Sequence, residues 1–288
     1  MEQLLSSSAL WAMHPAFLDG MLKRGSLEAM LPEAVRKLAS FGTQEAKAAD
    51  PIREGATLIV PVVGMLGPQG FGARTEYGAL ADRVREAAAD PKIGAVVLDM
   101  RSPGGLVWGC AECGDAIFEA RAAKPIVAVA NPFAFSACYW LGTQGSAFYA
   151  THSGDVGSVG VRSGHTDMSG FEDKIGMKTT LIASSPDKIA GHPYAPLTDE
   201  DRADIQSSVD ESNARFAAAI ARGRGMKVGD VAGVHGTGKT FSAARAHANG
   251  AIDGVKTLRE VVAEYGSSRA RLALMRRQAA AMEMATAI

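Results

Sequence analysis

The sequence has almost no excess of charge of either sign, because its 288 residues contain 30 Lys and Arg against 31 Asp and Glu. The net charge of -1 gives no electrostatic reason to expect nucleic acid or an anionic membrane as a partner. No stretch approaches the ~18 apolar residues that a membrane-spanning helix needs. The first residues lack the basic region of a signal peptide. These absences, with 47% hydrophobic residues, favour an ordinary globular protein.

Cysteine is scarce as well. The three cysteines cannot all pair within one chain, which suits a reducing compartment, and we therefore expect a cytoplasmic location. Cys110 and Cys113 form a Cys-x-x-Cys motif, but no second pair completes a zinc site and the motif falls within a helical run. We interpret both as packing residues and expect no metal.

Short β-branched runs and amphipathic helical patterns alternate along the middle of the chain. The runs predict buried strands at 57–63, 93–98, 126–130 and 178–183, and the patterns predict helices at 77–89 and 109–122. This alternation is typical of an α/β core in which parallel strands and helices form layers. Further along, the sequence predicts a long helix at 199–224, a helix at 241–250 and a short strand at 251–254.

The sequence predicts three regions. The first is a helical, partly mobile leader at 1–54, and the second is a single globular domain at 55–266. The third is a basic helical tail at 267–288 without a core of its own.

Ser136 follows the predicted strand 126–130 and a turn, and it opens a helical stretch. A serine at the start of a helix aims its hydroxyl and the first free backbone amides at one point, as a nucleophile and its oxyanion site require. Upstream, the strand 93–98 leads into Ser102-Pro-Gly-Gly105, a turn whose glycines let the backbone approach a substrate closely. The two strand ends can flank one site.

These motifs resemble the signal peptide peptidase A family of serine peptidases. The family pattern has a Ser-Pro-Gly-Gly turn, a serine after a strand, a Gly-Ser-Ile/Val-Gly-Val turn and then a lysine. Here Ser102-Pro-Gly-Gly105 is followed by Ser136, by Gly157-Ser-Val-Gly-Val161 and by Lys188, and the likeness extends over residues 55–266. Where the family often has Gly-Gly after the serine, this chain has Ala137-Cys138.

The resemblance implies a ClpP/crotonase-like fold and a Ser-Lys dyad without metal or nucleotide cofactor. Ser136 would be the nucleophile and Lys188 the base, and Ser158 would hydrogen-bond the lysine amine. The oxyanion donors would be the backbone amides of Ala137 and of Gly104 or Gly105. Self-association into a homo-oligomer is expected on the same grounds.

The base must lose its proton before the serine can attack. A lysine near its reference pKa of ~10.4 is protonated at neutral pH, whereas burial lowers a lysine pKa by disfavouring the charged form. The dyad therefore needs a desolvated Lys188. A histidine base is the alternative, with His152 and Asp155 or His165 and Asp167 as the pair, although these lie in polar, glycine-rich segments where surface histidines are common.

A second alternative comes from another class of protein. Gly233-Val-His-Gly-Thr-Gly-Lys-Thr240 satisfies the P-loop pattern Gly-x4-Gly-Lys-Thr, which would make the chain a nucleotide-binding protein. A true P-loop needs a buried strand before it, whereas residues 222–232 read as a loop and a short helix. An inactive scaffold or acyl-CoA enzyme with the crotonase fold is the third alternative.

The leader and the segment from Lys188 to Glu200 resemble the tailed-phage prohead proteases, which trim capsid and scaffold proteins. The resemblance implies an endopeptidase of phage head maturation with protein or peptide substrates, acting in the prohead or the host cytoplasm. The alternative within the family is a housekeeping peptidase that degrades signal peptides.

Overall fold

The computed structural model describes residues 50–267 and, for the backbone alone, residues 11–13. The described strands form one ten-stranded sheet. They are β1 (Trp11–Met13), β2 (Ile52–Glu54), β3 (Thr57–Gly67), β4 (Thr75–Glu76), β5 (Ala95–Leu106), β6 (Ile126–Phe135), β7 (Ala147–Ala150), β8 (Asp155–Gly157), β9 (Thr240–Ser242) and β10 (Gly254–Val255).

Eight α-helices connect and cover these strands within the described residues. They are α1 (Tyr77–Ala89), α2 (Cys110–Ala120), α3 (Ala137–Thr143), α4 (Ser169–Ile175), α5 (Asp199–Arg224), α6 (Val231–His235), α7 (Ala243–Ala248) and α8 (Leu258–Tyr265). Two 3-10 helices, Pro186–Ile189 and Val228–Asp230, complete the set. None of the helices in this part of the chain has the length and apolar content needed to cross a bilayer.

The main path of the sheet runs β10-β7-β6-β5-β3-β2. Neighbours from β10 to β3 are parallel, and β2 adds to the edge as an antiparallel hairpin with β3. The central strands β5 and β6 are buried on both faces, which is why their sequences are continuous apolar runs rather than alternating ones. The predicted layered α/β core of parallel strands and helices is confirmed.

Most of the predicted elements are present, with two corrections. The predicted strand at 178–183 is wrong, because this segment has no strand structure and its side chains are largely exposed, without a partner strand on either edge. The predicted helix at 241–250 is shorter, since Phe241 belongs to β9 and the helix covers only Ala243–Ala248. The β-branched residues of 178–183 predicted a strand, but no described strand pairs with this segment.

The leader and the tail fall mostly outside the described residues, as does the prediction that both are helical. Within the leader, Trp11–Met13 forms β1, which pairs with β5, and Ile52–Glu54 forms β2.

A buried lysine fastens α1 to the sheet. The Lys124 ammonium donates hydrogen bonds to the backbone carbonyls of Ala87, Asp90 and Ile93 at 2.7, 2.7 and 2.9 Å. These carbonyls lie at and just beyond the end of α1, where a helix leaves carbonyls without partners and where its dipole favours a cation. Lys124, which lies just before β6, thus holds the segment that connects α1 to β5.

Candidate active site

Ser136 stands at the junction of β6 and α3 in a strained backbone conformation. Its φ of 54° and ψ of -118° lie outside the regions that side-chain-bearing residues ordinarily occupy. The turn is held by two backbone bonds: the Ser136 amide donates to the Gly157 carbonyl at 2.8 Å, and the Trp140 amide donates to the Ser136 carbonyl at 2.8 Å. A strained strand-to-helix turn of this kind is how hydrolases project a nucleophilic serine.

The Ser136 hydroxyl has little to activate it within the described residues. Its side-chain oxygen lies 3.4 Å from the carbonyl oxygen of Gly160, to which it donates. The residue is 1% exposed, so the hydroxyl is screened from bulk water. A carbonyl oxygen orients a hydroxyl but cannot remove its proton, so this contact does not supply the base that a nucleophilic serine needs.

Ser102-Pro-Gly-Gly105 was predicted as a turn after the neighbouring strand, but it continues that strand, since β5 extends to Leu106. The Ser102 hydroxyl donates to the Gly64 carbonyl at 2.6 Å and accepts from the Gly104 amide at 3.1 Å. Gly105 packs so closely on β3 that a Cβ atom there would lie 1.8 Å from the Leu66 carbonyl oxygen. Because the Gly104 amide is engaged by Ser102, Gly105 is the better candidate for an oxyanion donor.

A second turn, Gly157 to Gly160, packs beside the serine. Phe135 pairs with Gly157 where β6 meets β8, and the Ser158 amide donates to the Lys239 carbonyl at 2.9 Å. Ser158 is buried and, like Ser136, has a positive φ, here 57°. The structure therefore brings Ser136, Ala137, Ser158 and the two glycines of β5 to one end of the sheet.

Lys188 lies in a different environment from the other predicted site residues. It belongs to the short 3-10 helix Pro186–Ile189, and its side chain is exposed. Between residues 162 and 200, Glu172 is the one buried residue. The single chain consequently does not supply the burial that the predicted base requires.

Comparison with known proteins decides the family. The model of peptidase family S49 matches residues 119–270, more than half of the chain and a span that contains Ser136, Ser158 and Lys188. The chain belongs to peptidase family S49. The predicted family resemblance is thereby confirmed.

Three relatives show how the S49 chain compares. It is 34% identical over 175 residues to capsid assembly protease C of Escherichia phage lambda, covering 59% of this chain and 40% of that protein. It is 33% identical over 180 residues to the head-tail preconnector protein GP5 of Enterobacteria phage P21, covering 61% and 36%. Protease 4 of Salmonella typhi is 28% identical over 185 residues, covering 64% and 30%. The matched region thus spans well under half the length of each relative.

Among solved structures, an enoyl-CoA hydratase from a Polaromonas species overlaps the S49 chain with a TM-score of 0.43 and 15% sequence identity. The overlap covers 75% of this chain and 73% of that one.

The histidine alternative finds no matching geometry. His152 and Asp155 are exposed. The His165 ring contacts the His192 carbonyl at 3.0 Å, while the Asp167 carboxylate accepts from the amide and hydroxyl of Ser169. His165 and Asp167 are thus used in local structure, and among the described contacts neither Asp155 nor Asp167 orients a histidine toward Ser136.

The P-loop alternative is wrong. Residues 233–240 run from helix α6 into strand β9, which pairs antiparallel with β8. A P-loop requires the reverse order, a strand before the loop and a helix after it, so that helix amides face the phosphates. In the S49 chain the same segment instead supplies the Lys239 carbonyl that holds the Ser158 turn.

Cys110 and Cys113 are buried, unpaired thiols on α2, and the prediction that they pack in the core is confirmed. Burial raises the pKa of the Cys113 thiol to about 12, so that it stays protonated.

One buried polar pair near the site was not predicted. The Tyr139 hydroxyl, on the helix that begins after Ser136, contacts the His235 ring nitrogen Nδ1 at 2.5 Å. Both side chains are buried, and burial, with a smaller effect of Arg224, lowers the pKa of His235 to about 4. The pair fixes α3 to α6. His235 was not recognised as a buried residue from the sequence, because it falls inside the P-loop-like motif.

A cavity of about 430 Å³ is lined in part by the Ser158 turn, including Gly160, whose carbonyl accepts from the Ser136 hydroxyl. Its lining is largely apolar and includes Val159, Val161, Val209, Ala217 and Val231. A concave apolar surface beside a nucleophile suits an apolar substrate side chain.

Proposed function

We propose that this chain is a serine endopeptidase with a Ser136-Lys188 dyad that cuts capsid and scaffold proteins during phage head maturation. The observation that carries the proposal is the strained, buried Ser136 at the β6–α3 turn, within the region that matches peptidase family S49. Strain of about 1–3 kcal/mol persists at a position only where the surrounding structure enforces it, which is common at catalytic sites.

The chemistry follows from the groups around the serine. Ser136 attacks the carbonyl carbon of the substrate, its proton passes to the Lys188 amine, and an acyl-enzyme ester forms. The lysine then gives the proton to the leaving amine, and water hydrolyses the ester. The amides of Gly105 and Ala137 are the proposed oxyanion donors, and Ser158 is the proposed partner of the lysine amine.

As a base, Lys188 must be buried from water, and self-association is the proposed way in which it becomes buried. The exposed segment from 162 to 198 carries several large apolar side chains on its surface. They are Met168, Phe171, Ile175, Met177, Leu181, Ile182 and Tyr194. Such a concentration of exposed apolar side chains is typical of an interaction surface. A homo-oligomer that buries this segment would remove water from the lysine and favour its neutral form.

The choice of substrates rests on the two phage relatives, one of which is named a capsid assembly protease. The proposed place of action is the prohead in the host cytoplasm. The likeness to protease 4 of Salmonella typhi keeps a housekeeping role in degrading signal peptides as the second candidate.

The test is co-expression with the capsid and scaffold proteins encoded beside the gene. Wild-type protein should yield truncated products that are absent with Ser136→Ala and with Lys188→Arg, which keeps the positive charge but cannot act as a base. Lys178→Arg, an exposed lysine in the same segment, is the matched control and should keep full activity. Processing of free signal peptides instead of capsid proteins would favour the second candidate. Unchanged processing in Ser136→Ala would refute the dyad.

A further inference from the structure

The end of β5 has an edge that its neighbour β6 leaves open. The pairing of β5 with β6 ends at Ser102 and Ala134, and β6 itself ends one residue later, at Phe135. β5 continues to Leu106, with β3 on one edge opposite Gly104 and Gly105. The other edge of residues 104–106 therefore faces the space between β5 and the Ser136 turn.

Residues 11–13 of the leader occupy that edge. β1 pairs antiparallel with β5, with Trp11 opposite Leu106, Ala12 opposite Gly105 and Met13 opposite Gly104. Since β3 holds the first edge of β5, β1 lies on the second, which is the edge beside the serine. An exposed strand edge is where an extended peptide adds to a sheet through backbone hydrogen bonds.

The register fixes which bond of the leader comes nearest the nucleophile. β1 runs toward the Ser102 end of β5, and Ser102 pairs with Ala134, two residues before Ser136. Met13 is the last residue of the added strand and lies opposite Gly104, the first of the two glycines. Met13 thus ends the described strand beside the glycines that are the proposed oxyanion donors.

We infer that the leader is a substrate of its own active site, cut between Met13 and His14. The inference rests on the proposed peptidase function. Ser136 bonds to the Met13 carbonyl carbon, the bond to the His14 nitrogen breaks, and the serine proton reaches the His14 amine through Lys188. Water then hydrolyses the ester, which leaves a Met13 carboxylate on the released segment 1–13 and a new N-terminus at His14.

The test follows the full-length protein after purification by intact-mass spectrometry, with hydrolysis of denatured casein measured in the same samples. We expect a chain that begins at His14 to accumulate in the wild type and to be absent with Ser136→Ala. The double substitution Trp11→Pro with Ala12→Pro removes the strand's pairing amides and should slow this cut by about tenfold or more, while casein hydrolysis persists. The matched control places the two prolines at Ser6 and Ser7, upstream of β1, and should be cut at the wild-type rate.

A synthetic peptide of residues 6–19, added to the full-length protein, keeps the test independent of how the proline variants fold. Cleavage between Met13 and His14 in the peptide supports the inference. Wild-type protein that digests casein but leaves the leader intact, or cuts it at another bond, overturns the inference alone. Wild-type protein that digests neither casein nor leader overturns the proposed function and the inference with it.

Discussion

Replacing Ser136 with glycine should give a more stable protein than replacing it with alanine. Both substitutions remove the hydroxyl, so its hydrogen bond to Gly160 cancels in the comparison. At the φ of 54° observed here, a residue with a Cβ atom costs about 1–2 kcal/mol relative to glycine. Glycine loses more backbone entropy on folding, which offsets about 0.5–1 kcal/mol of that gain. The expected net difference is ~1 kcal/mol, or a Tm higher by about 2–4 °C for a chain of this size.

The assay is thermal and urea denaturation of the two inactive variants side by side. Ser207 provides a matched control, because it is exposed within helix α5, where glycine is the poorer residue by up to ~1 kcal/mol. Ser207→Gly should therefore be less stable than Ser207→Ala, the opposite order to that at Ser136. If Ser136→Gly were equal to or less stable than Ser136→Ala, the serine would not be held in a strained turn and the main structural argument for a nucleophile would fail.

Three further outcomes are expected from the described contacts. Gly105→Ala should destabilise the fold by about 3 kcal/mol or more in urea denaturation, because its Cβ would collide with a backbone carbonyl of β3, whereas Gly78→Ala in open space on α1 should be neutral or stabilising. Lys124→Met should cost roughly 2–4 kcal/mol by removing three hydrogen bonds to backbone carbonyls, of which those to Ala87 and Ile93 are buried, while the exposed Lys92→Met should change stability by less than about 0.5 kcal/mol in the same assay. The depressed pKa of His235 means that the unfolded chain binds the proton more tightly, so stability should be complete above pH ~6.5 and fall by up to roughly 3 kcal/mol as the pH drops toward 4. His235→Gln should flatten that decline in urea midpoints measured across this range, and an unchanged profile would assign the acid sensitivity to other groups.

The parts of the fold that could be predicted from the sequence are those decided by local burial. The runs in β3, β5 and β6 are apolar on both faces because helices cover the sheet, and such runs are readable without knowing their partners. The position of Ser136 was likewise predictable, since a serine between a strand and a helix leaves a local signature, whereas the glycines at 104 and 105 predicted a turn where β5 continues.

Features that depend on distant partners could not be predicted. The run at 178–183 has the residues of a strand but no neighbour with which to pair. β1 is only three residues long, and its pairing with Gly104–Leu106 joins segments that lie far apart in the sequence. The Tyr139–His235 contact joins two helices about as far apart, and nothing in either local sequence indicates it.

The two halves of the proposed dyad are attached to parts of the chain with unequal resistance to heat. Ser136 is tied to buried strands and to the central sheet, so it loses its geometry only when the core itself melts. Lys188 sits on a segment with almost no buried side chains, and segments of that kind open at a small fraction of the global unfolding free energy. On warming, turnover should therefore stop while the sheet is still intact, and cooling should restore it without refolding of the core.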